Sequence, residues 1–168
     1  MTKTDPLPNW SEPAALRDWA QEASRPLEKA SAAYVNLLVH PDVVVASARL
    51  LFPVFVEHDG GVFLDDHFSQ ESYAEWKSTL GDTSRVEDML NHRHVYDLFM
   101  TPEEVTEDSF EGVARLMAQT LELALRVCFP HRRFNVYVSN DEGDYGPVVS
   151  FYSLAEEAPA STGSPVAS

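Results

Sequence analysis

The stretch from 108 to 128 constrains this chain more than any other. Phe110, Val113, Ala114, Met117, Leu121, Ala124, Leu125 and Cys128 recur at spacings of three and four, which places them along one side of a helix. Leu116, Leu123 and Val127 widen that stripe. A helix apolar over so much of its surface needs cover on more than one side. It is therefore expected at the centre of the fold, packed on a sheet and flanked by other helices. Thr106 or Asp108 can cap its start, Glu111 completes a capping box with Asp108, and Pro130 ends it. Cys128 continues the apolar pattern and reads as a small buried hydrophobe. It is the only cysteine, so an intramolecular disulfide and a thiolate zinc site are excluded.

Two segments supply the sheet. In 54–64, β-branched and aromatic residues flank Asp59-Gly60, a pair suited to a tight type I′ turn. In 133–153, Phe134, Val136 and Val138 alternate with Asn135, Tyr137 and Ser139, and Val148 to Tyr152 return after a polar turn. Shorter helices are expected elsewhere. One runs from Ser11 to Ser24, and a helical or mixed stretch spans 27–39. Another, from Val43 to Phe52 and opened by Pro41 and Asp42, has a core-like face of Val44, Ala48 and Leu51, while the β-branched run Val43-Val44-Val45 also suits a strand. A further one starts at Ser69, and a last one starts at a Ser84–Glu87 capping box. His94 to Phe99 reads as extended. The pattern predicts a single α+β domain over 11–155, with an antiparallel sheet built from hairpins near 54–64 and 133–153. Helices, notably 108–128, pack on one face of it. Residues 1–10 are expected to be a flexible N-terminus. Residues 156–168, rich in Ala, Ser, Pro and Gly, are expected to be a disordered tail.

Composition narrows the functional classes. With 168 residues, 44% of them hydrophobic, the chain can build a real core. No apolar run approaches the roughly 20 residues of a membrane span, and residues 1–10 lack the apolar core of a secretory signal. The cytoplasm is the expected compartment. Acidic residues outnumber basic ones 27 to 12, for a formal charge of -15. Such a field disfavours nucleic acid and anionic membrane and favours a protein partner with a basic surface. Arg exceeds Lys, and Ala and Val are plentiful, which points to a GC-rich bacterial genome.

Two clusters carry possible chemistry. The turn after Ser139 holds Asn140, Asp141, Glu142 and Asp144, oxygen donors suited to a hard cation, but not in the order of an EF-hand loop. Tyr145 beside them suits a protein contact. A second acidic run, Glu103, Glu104, Glu107 and Asp108, opens the long helix. Asp141, Glu142, Asp144, Tyr145 and these four form the expected partner-binding set. The other cluster is histidine-rich. His92 and His94 would point the same way on an extended segment, and Asp65, Asp66 and His67 follow the first hairpin; together they could ligate a divalent metal. No Gly-x-Ser-x-Gly elbow, phosphate loop, dinucleotide fingerprint or His-Glu-x-x-His is present. A pocket between the long helix and the sheet, lined by Phe55, Tyr73, Trp76, Phe110 and Tyr137, would suit a small-molecule sensor.

The leading expectation is a non-catalytic acidic interaction module, with no catalytic residues and no cofactor. In composition, though not in any motif, it is similar to bacterial immunity and accessory proteins. The alternatives are a metal-binding protein or metal-dependent enzyme using the His/Asp cluster, and the sensor.

Overall fold

In chain order the elements are α1 (Ala14–Glu22), a 3-10 turn (Leu27–Lys29), α2 (Ala30–Leu38), α3 (Pro41–Leu51), β1 (Phe55–His58) and β2 (Gly61–Leu64). Then follow α4 (Gln70–Leu80), α5 (Thr83–Leu90), β3 (Arg93–His94), a second 3-10 turn (Val95–Leu98), α6 (Glu107–Cys128), β4 (Phe134–Ser139) and β5 (Val148–Ser153). The computed structural model describes residues 10–100, 105–141 and 145–155. The fold is a single α+β domain. The two hairpins do not merge into one sheet. Among the described residues β1 and β2 pair only with each other, and β5 lies between β3 and β4 in a second antiparallel sheet. The first hairpin closes through Asp59 and Gly60 at φ 47° and 77°, the positive values that the Asp-Gly turn requires.

The main core forms where α6 meets the strands. Phe110, Ala114, Met117, Leu121 and Leu125 pack with Val149 and Phe151 of β5 and with Val62 and Leu64 of β2. Phe134 and Val136 join from β4, while Val138, one pleat further, is 39% exposed. The buried stripe of α6 is narrower than its sequence implies, because Leu123 and Val127 lie on the side away from the sheet and face out. Cys128 is also exposed, contrary to its apolar context. Phe129, the next residue, takes the covered position against Phe55 and Phe134. A second core of Phe63, Tyr73 and Val86 joins α4 and α5 to β2. A small third one of Leu16, Ala20 and Ala30 joins α1 to α2.

β5 is covered on both sides. Val149 and Phe151 face α6, and Ser150, between them, points to α5, where its hydroxyl donates to the Asp88 carbonyl at 2.9 Å. Tyr137 donates to the Asp88 carboxylate from the same side at 2.7 Å. Burial, and then that carboxylate, push the Tyr137 hydroxyl up to about 12.

Several caps differ from expectation. Ser69 caps α4 as expected, accepting from the Ser72 amide. α5 is capped by Asp82, not by a Ser84–Glu87 box. Ser84 instead donates to the Ser153 carbonyl at 2.9 Å. α1 starts behind Pro13 with no side-chain cap, and α6 starts at Glu107, which places Asp108 inside the helix. α3 buries no residue fully, so Val44 is not the core position its spacing implied. Of 94–99, only His94 is in a strand; Val95 to Leu98 close into the second 3-10 turn.

Glu87 and Asn91 explain how the two sheets hold together. Both are buried, one helical repeat of four apart. One Glu87 oxygen accepts from the Val62 amide and the Ser153 hydroxyl, and the other from the Ser153 amide, each at 2.7 Å. Asn91 accepts from the Leu64 amide at 2.9 Å and donates to the Val62 and Phe151 carbonyls at 2.9 and 3.2 Å. β3 is two residues long, so among the described residues no strand continues along that edge of β5 beyond Val149. The two side chains take that place and bond the edge of β2 to the edge of β5. Backbone groups that would otherwise be buried without partners are satisfied by side chains.

Candidate functional site: an acidic aromatic end

The return of the last hairpin is held down by its neighbours. The Pro147 carbonyl accepts from the Val95 amide at 2.8 Å, and the Tyr145 carbonyl lies 3.1 Å from Nδ1 of His94. Gly146, at φ 75°, rests on the ring of Tyr96; a Cβ there would come within 2.7 Å of ring carbons, so a side chain would lift the loop away. Tyr145 stands edge-on to Tyr96 with ring centres 5.4 Å apart. Tyr96 in turn meets Phe110 at 4.6 Å, and Phe99 meets Phe110 at 6.3 Å.

This chain of rings joins the hairpin to the first turns of α6. Tyr145, Glu107 and Asp108 are all exposed; Tyr145 reaches Phe110, three residues after Glu107, through Tyr96, while Asp108 lines the cavity toward α1 and Tyr34. Met100 and Val105, which precede the helix, are exposed as well. Asp141 sits where β4 leaves the sheet and accepts from the Ser139 hydroxyl at 3.1 Å. Glu103, Glu104, Glu142 and Asp144 lie outside the described residues. Part of the charge has a local reason, since carboxylates in the first turn of α6 face the positive end of the helix dipole.

The histidine cluster comes together only in part. Nε2 of His92 and Nε2 of His94 are 3.2 Å apart, as the two-residue repeat of an extended segment implies. Arg93 between them points the other way, is buried, and pairs with Asp66. His67 is beside the same pair; desolvation, and then the Arg93 charge, hold its imidazole below the usual range. Asp66 and His67 are thus placed with Arg93, not with the two histidines. Among the described residues no group of three or more His, Cys, Asp or Glu is placed to hold a metal ion.

The expected sensor pocket is occupied by packing. Between α6 and the sheet, beside Met117, Leu121 and Val149, the free space is about 10 Å³, room for about one water. Phe55 and Phe110 pack on the main core and Tyr73 and Trp76 on the second, while Tyr137 is tied to Asp88. A larger cavity, about 280 Å³, lies between the start of α1, Tyr34 of α2 and the Gly112–Leu116 side of α6.

Sequence reasoning missed Glu87, Asn91 and Arg132. The Arg132 guanidinium donates to the Gly60 carbonyl and the Ser153 hydroxyl, both at 2.7 Å, and lies over the Phe134 ring. The one available signal was the spacing of Glu87 and Asn91, four apart along α5, which puts both on one side of that helix.

No helix among the described residues is long and apolar enough to cross a membrane. Compared with protein families, curated proteins and solved structures, the chain shows no significant similarity to any of them.

Proposed function

We propose that this protein is a non-catalytic interaction module that docks a basic protein partner through its acidic aromatic end. The observation that supports this reading is the ring contact of Tyr96 with both Tyr145 and Phe110, which ties an exposed tyrosine to the helix whose first turn carries Glu107 and Asp108. Tyrosine is a frequent anchor of protein interfaces, and surrounding charge speeds encounter and selects the partner's sign. In the finer form of this reading, the protein is an accessory or immunity-type factor that covers a basic surface of its partner.

The test is capture of a partner from the source organism, followed by binding kinetics. Tyr145→Ala is expected to weaken binding by tenfold or more, chiefly through faster dissociation. Glu107→Gln with Asp108→Asn is expected to slow association and flatten its salt dependence. A partner whose affinity ignores Tyr145→Ala and whose association rate ignores salt would show that this end is not the docking surface.

A second reading rests on the histidine pair. Two nitrogens each bound at ~2.0 Å to a tetrahedral ion stand about 3.3 Å apart, close to the observed 3.2 Å. An Nδ1–H bond from His94 to the Tyr145 carbonyl would leave its Nε2 lone pair free to ligate. The two imidazoles would serve as a clip for a zinc-like cation, with water completing the shell. Titration of untagged protein with zinc chloride is expected to show one site that His94→Ala abolishes. Binding that survives replacement of both histidines would dispose of this reading.

A further inference from the structure

The cavity of about 280 Å³ is walled by the chain entering α1, by Tyr34 of α2 and by one side of α6. Its lining is mostly apolar and includes two aromatic residues, Trp10 and Tyr34, and Leu116. Small-molecule sites are concave, mostly apolar and furnished with a few polar groups, and they run from roughly 300 to 1,000 Å³. This space lies at the lower end, so its occupant is small.

Gly112 marks where the space opens. It is the sixth residue of α6, inside the helix, where glycine is costly relative to alanine. A Cβ there would meet no other segment of the chain within 4 Å. Close packing therefore does not call for glycine at 112, and its backbone lines the cavity instead. A side chain would fill part of that space.

The charged residues that line the cavity, among those described, are both acidic: Glu12 and Asp108. Glu12 accepts from the Ser31 hydroxyl at 3.5 Å through its carboxylate and from the Arg17 guanidinium through its carbonyl. None of the ion pairs among the described residues uses the Glu12 or the Asp108 carboxylate. Asp108 is partly offset by the start of α6; Glu12 precedes α1 and has no such compensation. A carboxylate without a cation, next to an apolar space, suits a charge-assisted hydrogen bond from an ammonium group. Aromatic residues add cation–π attraction, and the net charge of -15 draws cations and repels anions.

We propose that this cavity binds a small free organic amine, with its ammonium group at Glu12 and Asp108 and its apolar body against Trp10, Tyr34 and Gly112. Asp108 also belongs to the proposed docking surface, but Tyr145 does not line the cavity, and the amine site does not depend on that reading.

The test is an NMR titration of the full chain with n-butylammonium chloride, followed at the Trp10 indole N–H, which Trp10→Phe assigns. The expected result is a saturable shift with a dissociation constant in the millimolar range, as suits so small a probe. Neutral 1-butanol should bind at least about tenfold more weakly and butyrate not at all. Glu12→Gln should weaken butylammonium at least about fivefold and leave butanol unchanged. Gly112→Leu should abolish binding while the thermal midpoint stays at or above that of the wild type. Nα-acetyl-lysine N-methylamide carries the same butylammonium group on a peptide backbone and should bind more weakly than the free amine. Tighter binding of that probe would give the cavity to a partner's lysine and overturn the proposal. Equal binding of butanol and butylammonium, a shift that does not saturate, or binding that survives both Glu12→Gln and Gly112→Leu would overturn it too. Tyr145→Ala should leave amine binding unchanged, so failure here is distinct from failure of the proposed function.

Discussion

At the scale of single residues, the fold depends on polar groups that leave water. Glu87 is fully buried yet has a backbone amide or a hydroxyl on each oxygen, with Arg132 3.7 Å away. Asn91 uses both ends of its amide on three backbone groups. A buried group without a partner costs about 1–3 kcal/mol, so the loss of Asn91 strands more than one such group. Asn91→Ala is expected to lower stability by about 3 kcal/mol, read as a shift in the urea midpoint. Ser78→Ala, on an exposed helix face, should stay within ~0.5 kcal/mol. Equal midpoints for the two variants would mean that the sheet edges find other partners. Beyond the four-residue spacing of Glu87 and Asn91, this was not legible beforehand: Glu87 fits a capping box after Ser84, and its contact with Val62 and Ser153, 25 and 66 residues away, shows its role.

At the scale of elements, period and turn chemistry were legible, and cover was not. The three-and-four spacing located α6 almost to its ends, the Asp-Gly pair located the first hairpin, and alternation located β4. The same spacing overstated what α6 buries. Leu121 and Leu125 face the sheet, while Leu123 and Val127 sit on the far side of the same helix. Leu125→Ala is expected to cost about 3 kcal/mol through lost burial and a cavity. Val127→Ala, at a 79% exposed position, should cost less than ~0.5 kcal/mol by the same denaturation measurement. If Val127 proved as costly as Leu125, a further surface would have to cover that side of α6. α3 teaches the same lesson, since its periodic valines lie beyond the end of the core that holds Leu50 and Leu51.

At the scale of the molecule, two features oppose each other. The chain carries a net -15, whose self-repulsion disfavours the compact state. Partly exposed ion pairs, such as Arg132 with Glu57 and Lys77 with Asp59, recover little of this, because water and salt screen them. Screening therefore removes more repulsion than attraction. The thermal midpoint is expected to rise as sodium chloride is added to a low-salt buffer, measured by calorimetry at a concentration too low for self-association. A falling midpoint would mean that the local pairs outweigh the net charge.

The sequence by itself determined the elements and the sign of the surface. Helix and strand periods, the Asp-Gly turn and the excess of carboxylates arise from residues within a few positions of one another, or from simple counts. Tertiary structure decided which apolar side chains are covered, which polar ones are buried, and that Tyr145 is tied through Tyr96 to Phe110 of α6. Those outcomes depend on contacts between distant segments: Tyr96 with Phe110 and Tyr145, and Glu87 with two sheet edges. A local pattern records how a residue faces along its own element and carries no record of what that face will meet.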